Sequence, residues 1–237
     1  MTFENYKNRH MKKTLIVFVT LFALIFLSGF GNAQDLGRAM KRYKAKEYAQ
    51  AIPDFINSIP SIEVNYGKSD TIYYGRLLLY TGISYKGIYD FQNAEKYLLQ
   101  SNEVYKNAGA LKNPQYAESF IELAGLYVIS GKFDKAEKFN LKARTIYEHI
   151  YGKKSAKYAL TCNNLASLYR KTGNYNKSEK LFIEAKNIYE NLYGKKHPDY
   201  TVCCSNLASL YLEKGQYNKA EQLFAEVKDI DESLYGK

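Results

Sequence analysis

Two histidines and three cysteines are the residues beyond position 33 from which metal or nucleophilic chemistry could be assembled. His149 and His197 could share a metal ion, or one of them could activate a cysteine. Their placement argues against both, because His149 falls late in a predicted helix and His197 at a predicted helix cap. Cys162 and Cys204 lie 42 residues apart, with Cys203 beside the second. Neighbours on a helix point about 100° apart, so the three read as small packing residues and not as a disulfide or a metal site. Gly82 and Gly87 have the spacing of a phosphate loop, but Ile88 stands where the lysine is needed. Glu137, Glu179 and Glu221 recur at equal steps and read as a solvated or inter-repeat charge row, not as an acid and base pair. Lys153-Lys154 and Lys195-Lys196 sit on predicted loops with acids dispersed between them, unlike a nucleic-acid-binding stripe. No catalytic residue, metal site or cofactor is assigned.

The spacing that weakens the chemistry organises the chain. Leu123-Ala124-Gly125-Leu126-Tyr127 recurs as Leu165-Ala166-Ser167-Leu168-Tyr169 and as Leu207-Ala208-Ser209-Leu210-Tyr211, each step being 42 residues. Gly131-Lys132-Phe133, Gly173-Asn174-Tyr175 and Gly215-Gln216-Tyr217 follow in register, as do Tyr151-Gly152, Tyr193-Gly194 and Tyr235-Gly236. An earlier copy is carried by Gly82, Tyr85, Phe91, Ala94 and Tyr105. A fifth, one residue out of step, is carried by Ala39, Tyr48, Ala51, Phe55, Ser58 and Gly67. The domain boundaries follow: a leader over 1–33, divergent units over 34–75 and 76–117, and close copies over 118–159, 160–201 and 202–237.

Within a unit the apolar residues fall at helical spacing, as in Phe120, Leu123, Leu126 and Tyr127. A glycine turn at Gly131 ends the first helix, a second runs to Tyr151, and Gly152 supplies a left-handed stop. Asn113, Ser155 and His197 are the expected N-caps, two of them followed by proline at the first helical position. Two antiparallel helices per unit make the fold all-α. Ala124, Ala166 and Ala208 on the first helices, with Ala136, Ser178 and Ala220 on the second, let the backbones approach; Tyr127, Tyr169 and Tyr211 fill the space beside them. Each unit depends on its neighbours, as in a nearly one-dimensional stack.

Composition agrees with a folded, surface-rich chain: 237 residues, 46% apolar, 24 Tyr, no Trp. Lys12 and Lys13 precede an apolar run from Leu15 to Leu27, and small residues lead to Ala33. This reads as a cleavable secretory signal with translation starting at Met11, since a membrane span needs about 20 apolar residues. It predicts a periplasmic or extracellular protein with no membrane insertion after cleavage. No cysteine follows the run, which argues against a lipoprotein. With Lys7, Arg9, Lys12, Lys13 and Glu4 set aside, the net charge falls from +10 to +7.

A small-residue slot, a tyrosine three later, an aromatic after the glycine turn and a second small slot twelve residues on resemble the tetratricopeptide repeat. The 42-residue period, with Asn163-Asn164-Leu165-Ala166 and Leu192-Tyr193-Gly194-Lys195-Lys196-His197-Pro198, resembles the kinesin-light-chain type. The resemblance implies a right-handed α-solenoid of about five antiparallel pairs, non-enzymatic, with a concave groove lined by the first helices that holds a protein or peptide ligand. By this resemblance Asn163, Asn164, Ser167, Arg170 and Lys171 line the groove in one unit, and Ser205, Asn206, Ser209 and Glu213 in the next. Asn164 and Asn206 match the family position that clamps ligand backbone, where the preceding unit has Glu122. The chain is also similar to the N-terminal arrays of exported bacterial proteins that end in a CHAT peptidase domain, so a regulatory arm of a truncated or split peptidase is the alternative. Self-association through uncapped terminal units is a third reading.

Overall fold

The computed structural model describes residues 34–65 and 71–236. The expected leader, including Met11 and the apolar run, lies outside the described residues, as does Gly67. Among the described residues there are helices and no strand. Residues 34–44 form α1. The others are α2 (Tyr48–Asn65), α3 (Thr71–Gly87), α4 (Phe91–Asn107), α5 (Pro114–Ile129), α6 (Phe133–Tyr151), α7 (Ala156–Lys171), α8 (Tyr175–Tyr193), α9 (Pro198–Glu213) and α10 (Tyr217–Tyr235).

Capping chemistry sets the starts of the late first helices. Asn113 Oδ1 accepts from the Gln115 amide at 2.8 Å, Ser155 Oγ from Tyr158 at 3.3 Å and His197 Nδ1 from Asp199 at 3.2 Å. Each satisfies one of the amides that a helix N-terminus leaves without an internal partner. The pairs therefore open at Pro114, Ala156 and Pro198, four residues ahead of the boundaries drawn at 118, 160 and 202.

The first helices end in a shared turn. Lys132 N–H donates to Tyr127 O at 2.8 Å and Gly131 N–H to Val128 O at 3.2 Å; Asn174 and Gly173, then Gln216 and Gly215, repeat both bonds. This paired closure needs positive φ at its centre, supplied by Gly131, Gly173 and Gly215. Lys46 and Tyr89 take the same role with φ of 61° and 63°. The second helices stop differently. Gly152 has φ 78° and ψ 167°, so the left-handed stop expected there is instead the extended, positive-φ region open essentially to glycine alone. Its amide makes only the ordinary bond to Glu148 O.

The described residues form two compact units, divided between Tyr97 and Leu98. In the first, Ala39, Ala51, Phe55 and Leu77 form a buried cluster. Buried Asp54 clips α2 to α1, accepting from Arg38 Nη2 at 2.7 Å and Arg42 Nη1 at 2.7 Å. Gly87 packs so closely on Tyr48 that a Cβ there would run into the ring. Gly82 and Gly87 are thus helical residues of α3 and form no phosphate loop.

In the second unit each helix packs on the next in the chain, α5 on α6 through to α9 on α10, and α7 also meets α9. Ala136, Ala166, Ser178, Ala208 and Ala220 are fully buried, and Ala124 all but so. Ser178 Oγ donates to Ala166 O at 2.7 Å, which measures how closely the two small slots bring α7 and α8.

Candidate functional site

The face where α7 and α9 meet carries the polar residues of the expected groove. The apolar stripes of both helices turn away from it: Cys162, Leu165 and Ala166 are buried on α7, and Cys204, Leu207 and Ala208 on α9. What remains at i, i+1 and i+4 is amide, hydroxyl and charge. Asn206 Nδ2 donates to Asn163 Oδ1 at 3.2 Å, and Arg170 Nη1 to Glu213 Oε1 at 2.7 Å, two bonds that tie the helices together. Ser205 Oγ and Ser209 Oγ donate to carbonyls of their own helix, Thr201 O and Ser205 O, both at 2.9 Å. Asn164 and Ser167 are half-buried and Lys171 is exposed.

Asn164 and Asn206, equivalent by the period, are therefore in different states. Asn206 spends a donor on Asn163. Asn164 has no side-chain hydrogen bond among the described residues, so its amide can both donate and accept. On α5, Glu122 stands at the same position and Glu118 one turn before it. Burial raises the Glu118 carboxyl above the ordinary range, opposed by Lys157 and reinforced by Glu122. Glu118 is an acidic residue of this face that the sequence did not single out.

On the other side of the stack lies a repeated network, whose signal in the sequence is Tyr116, Tyr158 and Tyr200 at the common period. Arg144 Nη2 donates to the Tyr158 hydroxyl at 2.5 Å, and that hydroxyl donates to Glu184 at 3.1 Å. One period on, Tyr200 donates to Glu226 at 3.0 Å and Lys195 Nζ to the same oxygen at 2.7 Å. Burial opposes ionisation of Tyr158 and pushes it up to about 12. Glu226 is held below the ordinary range: burial works to raise it, and Lys195 and Tyr200 outweigh that.

The glutamate row is an inter-repeat device. Tyr169 donates to Glu137 at 2.5 Å and Tyr211 to Glu179 at 3.1 Å, each joining a second helix to the first helix of the following pair. Lys214 Nζ also donates to Glu179. The three cysteines are free and buried. Burial pushes Cys162 and Cys203 up to about 12, the inert condition for a thiol. His149 lies on α6 and His197 caps α9, stacked 4.1 Å from Tyr193. Among the described residues no group of three or more His, Cys, Asp or Glu could hold a metal ion, and no helix is long and apolar enough to cross a membrane.

Residues 157–233 match the tetratricopeptide repeat family model. Over that stretch the repeats are tetratricopeptide repeats. Solved structures share the fold. BtubC (BKLC) from P. vanneervenii is 20% identical with a TM-score of 0.78, covering 89% of this chain and 83% of its own. A putative kinesin light chain with nearly identical TPR-like repeats, from Podosopora anserina, is 16% identical with a TM-score of 0.70, covering 86% and 97%. A Rap protein complexed with competence and sporulation factor is 18% identical with a TM-score of 0.68, covering 83% and 52%. No curated protein sequence matches the chain. Such tetratricopeptide arrays serve as protein interaction scaffolds, and the kinesin-light-chain likeness fits the 42-residue period.

Proposed function

We propose that this chain is a non-enzymatic scaffold, working after export, that holds an extended peptide segment of a protein partner along the face formed by α5, α7 and α9. The observation that carries this is the half-buried Asn164 amide, which lacks a side-chain partner beside the bonded Asn163 and Asn206 pair. That amide is left open to a partner, and an extended backbone offers it both a donor and an acceptor. Support also comes from the Rap protein of the same fold, solved in complex with competence and sporulation factor. Export rests on the leader pattern of residues 12–33.

Selection of a random peptide library on the purified protein tests the reading. Peptides enriched on the wild type should lose about tenfold or more in affinity for the variant Asn164→Ala with Asn206→Ala, on the order of 1.4 kcal/mol. Affinity unchanged by both substitutions would sink the groove assignment. Export is tested separately, by locating the full-length product in cell fractions and sequencing its N-terminus.

A further inference from the structure

One slot occurs three times in the second unit, between an inter-pair loop and the two helices that follow it, and its first version differs in chemistry from the other two. At α9 and α10 the loop residue Lys195 donates to Glu226 at 2.7 Å and lies 3.9 Å from Glu190. At α7 and α8 the loop residue Lys153 lies 3.4 Å from Glu148, and Glu184 accepts from Tyr158. Both slots are thus neutralised by carboxylates.

At α5 and α6 the same positions read otherwise. Leu111 stands for the loop lysine, Lys106 for Glu148 and Glu190, and Lys142 for Glu184 and Glu226. Phe120 stands at the position of Cys162 and Cys204. Two carboxylates have become ammonium groups, and the ammonium they would have met has become an isobutyl group.

The result is a surface depression of about 440 Å³, floored by Tyr116, Phe120 and Ile146 and walled by Leu111 and Leu141. Leu111 is 53% exposed and Leu141 40%. The Lys142 ammonium rests 5.2 Å from the Phe120 ring centre and 5.6 Å from that of Phe139. Lys112 follows Leu111 in the chain, Lys138 precedes Leu141 by three residues on α6, and Lys106 lies near the end of α4; all three are exposed. Among the described residues none of these four lysines has an ion pair with a carboxylate.

An exposed ion pair contributes about 0–1 kcal/mol, so losing the pairs costs the fold little. What changes is the field: the charged group in the lining of this apolar hollow is the Lys142 ammonium, where the sister slots hold the carboxylates of Glu184 and Glu226. We propose that this socket docks an acidic peptide segment of a partner protein, which inserts one bulky apolar side chain between Leu111 and Leu141 and sets a carboxylate against Lys142. Charge complementarity selects the acidic flanks, and the apolar floor selects a side chain over a phosphate. A nucleic-acid backbone has nothing to fill the hollow, and a membrane surface does not enter a concave one. The socket is separate from the face of α7 and α9.

The test uses fluorescence anisotropy with a fluorescein-labelled peptide carrying one phenylalanine between runs of glutamate, and the same peptide with lysine for glutamate. The variant Leu111→Lys with Lys142→Glu gives the slot the residues that its sister slots already hold, so it retains the fold, which thermal melting by circular dichroism verifies. The acidic peptide should bind the wild type, bind the variant about tenfold or more weakly, and weaken as salt is raised. The variant Asn164→Ala with Asn206→Ala should bind it as the wild type does, which keeps this result independent of the groove. The proposal is overturned if the wild type does not bind the acidic peptide, if the lysine peptide binds as well, if the swap leaves affinity unchanged, or if anionic vesicles or single-stranded DNA compete it away.

Discussion

Asn140 occupies, on α6, the position that Leu98 holds on α4 and Phe182 on α8, and like them it is buried, at 3% exposed. Its Oδ1 is enclosed and finds no donor. A buried polar atom without a partner costs about 1–3 kcal/mol, and leucine is already accommodated at this position in another pair. Asn140→Leu should therefore stabilise the protein by about 1–2 kcal/mol, read as a higher urea midpoint with an unchanged slope; a lower midpoint would mean that the amide makes a bond worth more than its burial. The cysteines yield a second prediction. With Cys162 and Cys203 pushed up to about 12 by burial, all three should resist alkylation in the native protein at neutral pH and react together on unfolding, as mass spectrometry would show. These single-residue states were only partly legible in the sequence. Equal spacing showed that Asn164 and Asn206 are equivalent positions, but equivalence of position is not equivalence of partner: Asn163 faces Asn206 across the helix junction, and that direction depends on how α9 lies against α7.

Helix ends are where the sequence was most informative about whole elements, because caps are local chemistry. Asn113, Ser155 and His197 announce their role by type and by the proline or alanine after them, and Gly131, Gly173 and Gly215 by having no Cβ to strain. Stops at Lys46 and Tyr89 carry no such signal, since an L-residue in the left-handed region costs about 1–2 kcal/mol and is not what one looks for in a sequence. Lys46→Gly should recover about 1 kcal/mol of this, net of the extra freedom glycine gains when unfolded, and raise the melting temperature. Tyr89 is a poorer test because its ring also lies edge-on to Phe91 at 6.2 Å. The hairpin of α1 and α2 has its own acid limit. Hydrogen bonding to Arg38 holds the Asp54 carboxyl below its ordinary value of 3.8, with burial opposing and Arg42 assisting. A carboxylate whose folded value is depressed stabilises fully above the unfolded value and loses that contribution as the pH falls through the folded one. Amide protection factors across α1 and α2, the observed rate taken against the intrinsic rate at each pH, should thus hold steady down to about pH 4 and fall below it, and in Asp54→Asn they should already be low at neutral pH.

Between pairs, the second unit is held by nearest neighbours, and the glutamate row shows what joins them. The 42-residue repetition of Glu137, Glu179 and Glu221 exposed the row in the sequence, yet its partners come from tyrosines 32 residues further on, an interval the period does not suggest. Only the antiparallel turn between helices brings that offset into contact. Glu179 takes hydrogen bonds from Tyr211 and Lys214, so it ties α8 to α9 and through it to α10. The Lys214 bond holds the carboxyl below its ordinary value of 4.5, against the effect of burial and with help from Tyr211; this contribution is complete above that pH and lost as the pH falls below it. In a stack stabilised by neighbour terms, weakening one junction releases what lies beyond it and spares what lies before. Glu179→Ala removes a charged acceptor from two donors, a loss of about 1.5–3 kcal/mol. Hydrogen exchange in α9 and α10 should accelerate roughly 10- to 100-fold, while α5 and α6 keep their rates. A uniform acceleration across α5 to α10 would instead mean that the unit unfolds as one body, and that the glutamate row strengthens the whole without dividing it.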